Sequence, residues 1–529
     1  MKLTDLIVAL SDPSAYPHSV DDVEVHQTHI SVVFLAGAYA YKIKKPLDLG
    51  FLDYGTLERR LQSCEQEVVL NHRLAPTVYL GVVPVARHGK AVKMDGPGEV
   101  IEWAVKMTRL PEEATLRERL RREKVGVEQV EALAARVAMF HADAEASPRI
   151  SAAGRFDVVA RNARENFEQA ASHVGTTVSQ SVFERLRHLT EAALTHHRLE
   201  IEERAAQGVP RDTHGDLRLD HVYLFPDRPP PDDLVIVDCI EFNERFRFAD
   251  PVADMAFLAM DFVRHGRRDL ERAFADAYFH ASCDEDGRSL LHFYAAYRAA
   301  VRGKVEGLTS REPEVPAAER TKSVSRARAH WLLALGELEE PGRRPCLVLV
   351  GGLPGTGKST LARALDEEHE FTLIRSDLVR KELARLTARE ATTTSYGTGI
   401  YSSEWNDRTY AECLKRAEAL LFEGKRVVVD ASFGTEANRV AFLEAATHWG
   451  VPAAFLCCQA EPAVVRGRLE SRKHDASDAD WSIYLEAAAR WEAPGTVTTR
   501  SLCEIDAGGA KERVHARATT ILRDLGLED

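Results

Sequence analysis

The sequence lacks any C-x-x-C pair; its eight cysteines lie singly or as the Cys457-Cys458 doublet. That spacing excludes a zinc ribbon and a disulfide framework, and it predicts a reducing, cytoplasmic setting. No apolar run reaches the ~18 residues of a membrane span. The stretch Met1–Leu10 carries Asp5 within a short apolar run, so no signal peptide is expected and no membrane partner. Positive charge is in deficit: 69 Lys and Arg against 82 Asp and Glu give a formal net charge of −13. This weighs against a protein that coats nucleic acid and suits a cationic or small neutral substrate. No internal repeat or low-complexity tract is present.

What is there is ordinary globular composition, 45% hydrophobic and 29% charged, in 529 residues. That length exceeds a single core, so two or more domains are expected. Prolines and a glycine gather in Glu339-Glu340-Pro341-Gly342-Arg343-Arg344-Pro345, just before a strongly apolar strand. The predicted organisation is therefore a domain at 1–338, a linker at 339–345 and a domain at 346–529. In the first domain the patterning predicts a β-hairpin over 29–45, a helix over 56–74 and strands near 78–83 and 102–107. Helices are expected over 116–207 and 254–338, with a short strand at 235–237 between them. The second domain alternates strands (347–350, 371–374, 426–429, 453–458) with helices, and ends in helices. Such alternation predicts an α/β parallel sheet with helices on both faces.

Gly352 to Ser359 fits G-x-x-x-x-G-K-[ST], with a strand before it and a helix after it. Gly352, Gly355 and Gly357 let backbone N–H groups turn inward around phosphates, with Thr356 and Thr360 in the same loop and helix start. Lys358 then reaches the β/γ oxygens, and Ser359 is placed to ligate Mg²⁺. Asp377 follows the second strand at the carboxyl edge of the sheet, as a base or orienting group for an acceptor hydroxyl or as a helix N-cap. Arg380 lies one turn later on the same helix face. Asp430 ends the strand Arg426-Val427-Val428-Val429, either as a carboxylate holding Mg²⁺ through water or as a strand-end cap. Arg466, Arg468 and Arg472 are candidates for a closing lid, with Arg468 and Arg472 on one helix face; a solvated charged face is the alternative.

The P-loop, Asp377-x-x-Arg380, Val429-Asp430-Ala431-Ser432-Phe433 and the lid arginines together resemble a P-loop kinase family. It includes predicted small-molecule kinases, gluconate kinases, zeta toxins and the kinase domains of 5′-hydroxyl polynucleotide kinases. The resemblance implies ATP- and Mg²⁺-dependent phosphoryl transfer to a hydroxyl, without naming the acceptor.

In the first 340 residues the informative segment is His214-Gly215-Asp216-Leu217-Arg218-Leu219-Asp220-His221, ahead of a strand ending in Asp238. Alone, such a segment can be a turn with a satisfied polar cluster. With Lys42 and Glu67 upstream it resembles the catalytic loop of aminoglycoside phosphotransferase-like kinases, which implies an α+β bilobal protein-kinase-like fold. The resemblance assigns Asp216 as base, Asp238 as Mg²⁺ ligand, and Lys42, paired with Glu67, as the phosphate grip. It also places adenine against Met107 to Leu110 and makes Asp254 a brace for the loop. Lys44 shares the strand parity of Lys42, and Glu65 neighbours Glu67, so both pairings stay open. The family pattern has Asn five residues after the catalytic Asp, where this chain has His221 as the candidate metal ligand. Imidazole suits Zn²⁺ and later transition metals better than Mg²⁺. Either His221 hydrogen-bonds rather than ligates, or the adjacent Asp220 contributes, or the lobe transfers phosphate poorly, which makes a nucleotide-binding pseudokinase the alternative. The leading expectation is two phosphotransferase folds in tandem acting on small-molecule hydroxyls. The alternatives are a 5′-hydroxyl nucleic-acid kinase in the P-loop domain and an antidote-like first domain restraining a toxin-like second.

Overall fold

The computed structural model describes residues 1–48, 52–89, 91–313, 315–387, 399–471 and 480–529. The chain separates into two compact units, one of 1–162, 196–262 and 267–295, the other of 163–195, 263–266 and 296–529.

The first unit is built on a six-stranded antiparallel sheet. Its strands are β1 (Val23–Gln27), β2 (Ser31–Ala36), β3 (Tyr39–Lys44), β4 (Tyr79–His88), β5 (Ala91–Met94) and β6 (Glu99–Thr108), in the order β1-β2-β3-β6-β4-β5. Alternation decides which side chains go inward: Val32, Phe34, Tyr41 and Ile43 pack into one cluster with Val85 and Ala104. Lys42 and Lys44 share a strand face, as their parity requires. Helix α1 (Leu57–Asn71) starts at Thr56, whose hydroxyl accepts the Arg59 N–H at 3.3 Å, and packs on β4 and β6. The rest of the unit is largely helical, with a short antiparallel ladder of β7 (Val222–Leu224) and β8 (Leu234–Ile236). The hairpin, the helix and the central strands match their expected positions, whereas β1 and β5 were not expected. Both are at sheet edges, and their partial exposure weakens the alternating pattern that marks a strand.

The second unit carries a five-stranded parallel sheet of β9 (Cys346–Gly351), β10 (Phe371–Arg375), β11 (Arg426–Asp430), β12 (Ala453–Gln459) and β13 (Leu502–Asp506). The order is β10-β11-β9-β12-β13, so β9 is central and buried at all six positions. Its period-2 alternation feeds two cores. Val348 and Val350 join Leu361, Leu365 and Ile521 of helices α2 (Lys358–Glu368) and α3 (Lys511–Asp524). On the opposite face Phe455 meets Phe433, which in turn meets Tyr410 and Phe442 of helices 403–422 and 436–449. Helices thus cover both faces, as expected. The terminal strand β13 lies where only helices were expected; just one of its five residues, Ile505, is buried, so its apolar signature is faint.

Helical stretches ahead of residues 339–345 also pack in this unit. Ser181 Oγ donates to Glu423 O at 3.1 Å, and Arg185 donates to Gly424 O at 3.3 Å and Arg343 O at 2.6 Å. The Pro/Gly segment is a short 3₁₀ turn at Pro341–Arg343 between a helix and β9 of the same unit.

Candidate functional site

In the second unit β9 delivers its carboxyl end into the loop from Gly352 to Gly357. Gly352 sits at φ +136°, and a Cβ there would lie 2.4 Å from Cys458 O, so no other residue fits. Its N–H donates to Ser432 O at 3.1 Å, tying the loop to the segment after β11. Thr356 closes the turn on Leu353 O through its hydroxyl at 2.8 Å. Gly357, at φ +105°, begins α2 without a side-chain cap. The first N–H groups of that helix therefore remain for an anion, and the helix dipole favours one there. A cleft of about 720 Å³ opens on this loop, lined by Gly355, Gly357, Lys358, Ser359 and Thr360.

Two carboxylates stand at the same sheet edge. Asp430 is the last residue of β11, in register with Val350 and Arg375, and is 4% exposed. Arg375 Nε is 3.4 Å from its Oδ2, while Oδ1 is buried without a hydrogen-bond partner among the described residues. An orphaned carboxylate oxygen beside the P-loop is what a hydrated Mg²⁺ ion requires, so Asp430 and Ser359 fit the cation. Asp377 is half-buried as the second residue of a helix spanning Ser376–Leu383, whose N-cap position is Arg375, so Asp377 is not the N-cap. Burial raises its carboxyl above the ordinary aspartate range, with Asp430 adding to that and Lys358 opposing it.

The arginines divide. Arg380 is buried and donates to Ile400 O at 2.8 Å. Arg468 donates to Thr356 O at 3.3 Å and Ala507 O at 2.8 Å and lines the cleft beside the P-loop. Arg466 is exposed and pairs with Glu470. Arg472 lies outside the described residues. Two residues without a sequence signal hold the segment after Asp430. The Tyr410 hydroxyl accepts the Phe433 N–H at 3.0 Å, and fully buried Arg439 donates to Phe433 O at 2.9 Å and Glu492 O at 2.8 Å. They fix Phe433 at φ +51°, a strained position for a non-glycine residue. Each acts across more than one element, which no local pattern reports.

The first unit gathers a second constellation. Lys42 Nζ lies 2.9 Å from Glu67 Oε1 and 2.6 Å from Asp238 Oδ1. Lys44, fully buried, pairs with the other Glu67 oxygen and with Glu241. Both lysines therefore use Glu67, and Glu65 is exposed, which closes the open pairing. Glu241, three residues after Asp238, went unnoticed in the sequence; it also accepts from Tyr54 at 2.7 Å. Burial opposes charge on Lys44, but Glu241 and Glu67 outweigh it and raise its ammonium above the usual range. Asp238 holds φ +66°, and its N–H donates to the Tyr79 hydroxyl at 3.1 Å. Burial opposes its charge too; Lys42 and His221 overcome this and depress its carboxyl.

The loop at 214–221 closes on the same place. Asp254 accepts the N–H groups of His214 at 3.0 Å and Gly215 at 2.8 Å, the bracing role expected of it. His214 contacts Val237 O through Nε2 at 2.9 Å and accepts the Asp216 N–H on Nδ1 at 3.3 Å, which sets its tautomer. Burial pushes its imidazole down to about 4, so it is neutral near pH 7. Asp216 Oδ2 lies 3.6 Å from Arg218 and 3.7 Å from His221. Asp220 pairs with Arg117 at 2.8 Å and Arg218 at 3.2 Å. Met107 is half-buried on β6 and packs with Tyr79, Tyr223 and Val237 in an apolar cluster.

Residues 347–494 match a family model described as an AAA domain. Among solved structures, a sugar kinase from Janibacter sp. HTCC2649 is 19% identical with a TM-score of 0.27, covering 34% of this chain and 94% of that one. A gluconokinase from Sinorhizobium meliloti 1021 is 18% identical with a TM-score of 0.26, covering 34% of this chain and 93% of that one. Two mycobacterial proteins match end to end: "Uncharacterized protein Rv2004c" of Mycobacterium tuberculosis and "Uncharacterized protein Mb2027c" of Mycobacterium bovis. Each is 33% identical over 518 residues, spanning 97% of this chain and 98% of the relative. With that identity sustained along nearly the whole of both chains, the protein belongs to the family of these mycobacterial proteins.

Proposed function

We propose that the protein is a phosphotransferase whose P-loop unit moves the γ-phosphoryl group of ATP to the hydroxyl of a small molecule. The observation that carries this is the half-buried Asp377, its carboxyl raised by burial, at the sheet edge that presents Lys358 and Asp430. A carboxylate whose proton affinity is raised is better suited to take the proton of an acceptor hydroxyl. Lys358 and the uncapped start of α2 supply positive potential for the phosphates. Asp430 and Ser359 would hold Mg²⁺, which supplies charge neutralisation of the transferring group. A motor ATPase has no need of an acceptor base at this position.

The first unit is proposed as a second, aminoglycoside phosphotransferase-like nucleotide site. The cluster of Lys42, Glu67, Asp216 and Asp238 supports this reading, with Asp216 as base and Met107 in the adenine patch. A formal net charge of −13 disfavours a nucleic-acid acceptor and so supports a small-molecule hydroxyl. The test is a metabolite-extract screen with γ-labelled ATP, run on the parent, Lys358→Ala, Asp377→Asn and Asp216→Ala. Label should pass to at least one small hydroxyl compound in the parent and be lost in Lys358→Ala and Asp377→Asn. Transfer undiminished in Asp377→Asn overturns the assignment of the base. Label found on 5′-hydroxyl oligonucleotides instead would move the acceptor class.

A further inference from the structure

Resting on the reading of the P-loop unit as a nucleotide site, we propose that His369 and His515 form a proton-sensitive tie between the two helices that wall its cleft, so that a second proton on the pair loosens nucleotide binding.

The cleft at the P-loop runs between α2 and α3: Ser359, Arg363 and Glu367 line it from α2, and Lys511, Glu512 and His515 from α3. His369 directly follows α2, and its Nε2 lies 3.0 Å from Nε2 of His515. Each ring turns its other nitrogen to a carboxylate. His369 Nδ1 is 2.9 Å from Glu528 Oε2, and His515 Nδ1 is 3.4 Å from Glu368 Oε2. Glu528 is met in turn by Arg426, the first residue of β11, at 3.4 Å. Along the cleft the cations Arg363 and Lys511 are balanced by Glu367 and Glu512. The two histidine side chains are 11% and 22% exposed, so water competes little for the contact between them. Beneath it the helices share an apolar cluster of Leu365, Val514 and Ala518, so breaking the tie shifts the cleft wall without unfolding the unit.

The number of protons on the pair decides whether the tie holds. Two facing Nε2 atoms make a hydrogen bond only when one carries hydrogen and the other offers its lone pair. With three protons on the four ring nitrogens every contact is made, because both Nδ1–H groups point at carboxylates and one Nε2–H bridges the rings. Removing one proton keeps the bridge and bares an Nδ1; the contact to Glu368, which is 58% exposed, gives way at least cost. Adding one sets two N–H groups head to head between like charges, and the bridge breaks. This holds whichever ring donates. A second resting place is at hand: the Thr519 hydroxyl, one turn beyond His515 on α3, is 3.3 Å from His369 Nε2. That hydroxyl donates to His515 O at 3.1 Å, which leaves its lone pairs to accept from a protonated His369. The pair therefore has two discrete arrangements for protons to choose between.

The experiment measures ADP affinity of the full chain by calorimetry at about pH 7.5 and about pH 5.5, which bracket histidine titration. Parent, His515→Gln, His369→Gln and Lys358→Ala are compared, and the binding lost in Lys358→Ala is assigned to the P-loop. A glutamine amide can donate to or accept from the facing ring without itself taking up a proton. The parent should lose about tenfold more P-loop affinity on acidification than either glutamine variant, whose residual loss reflects ADP itself. In histidine-labelled protein, the two ring resonances identified by their absence from the single variants should titrate as a linked pair. An equal loss in parent and glutamine variants, or two resonances that titrate independently, overturns the proposal. No Lys358-dependent ADP binding at either pH, with the two resonances still linked, overturns the nucleotide-site reading and leaves the tie standing.

Discussion

The two sites present the same kinds of side chain in opposite electrostatic states. In the first unit Lys42, Lys44, Glu67, Glu241 and Asp238 neutralise one another, and Asp238 is held ionised by the cations beside it. In the P-loop unit Asp430 Oδ1 has no partner among the described residues, and Asp377 is lifted in pKa by burial that Lys358 only partly offsets. One site stabilises charge with long side chains drawn from distant segments. The other relies on backbone amides and a helix start that one short loop supplies. Side-chain networks are therefore where the first unit is fragile, and backbone geometry is where the second is.

The largest expected effect is kinetic. Asp377→Asn should lower transfer by about a hundredfold to ten-thousandfold, the usual contribution of a general base. In the parent, kcat/KM should rise with pH through an acid limb above the ordinary aspartate range, because the base works only when ionised. A limb at ordinary aspartate pH would remove the contrast between the sites.

Next comes Glu67→Gln, which leaves Lys44 and Lys42 short of a buried counter-charge. Denaturant unfolding should show a loss of about 3–5 kcal/mol in the first unit. A loss under about 1 kcal/mol would mean that the network behaves as an exposed ion pair.

A slightly smaller effect concerns pH. His214 is buried, and its folded pKa of about 4 lies below the unfolded value near 6.5. The stability it contributes is present above about pH 6.5 and is lost as pH falls towards about 4, because the unfolded chain takes up the proton first. The loss should total about 3 kcal/mol. Unfolding curves of the parent and His214→Gln at several pH values measure it; parallel pH dependences would contradict it.

The smallest effect is expected for Tyr410→Phe, which strips the Phe433 N–H of its acceptor. A cost of about 1–2 kcal/mol is expected in thermal unfolding of the P-loop unit. A larger drop in transfer rate than in stability would show that the Phe433 segment positions the site as well as supporting it.

The P-loop was legible because its chemistry is local. Consecutive residues supply the glycine conformations, the cation and the helix start, and its apolar strand announces itself at every position. Asp377 and Asp430 were legible for a related reason, since a parallel sheet puts its strand ends on one edge. The polar turn from His214 to His221 in the first unit could be marked by its motif, but not the pairing of the unit's lysines. Strand parity leaves Lys42 and Lys44 equivalent until α1 is docked and Glu67 reaches both. Glu241, Tyr410 and Arg439 were invisible because each acts on residues far along the chain. β1, β5 and β13 were missed because edge strands bury too little to leave a periodic trace.

What could be known before folding is what neighbours in the chain do to one another: a phosphate loop, alternating strands, a His-Gly-Asp turn. Which charges meet, and which carboxyl is lifted and which is depressed, depend on three-dimensional placement. Their energies scale with distance and burial, and residues 196 positions apart, such as Lys42 and Asp238, acquire both only when the chain closes on itself.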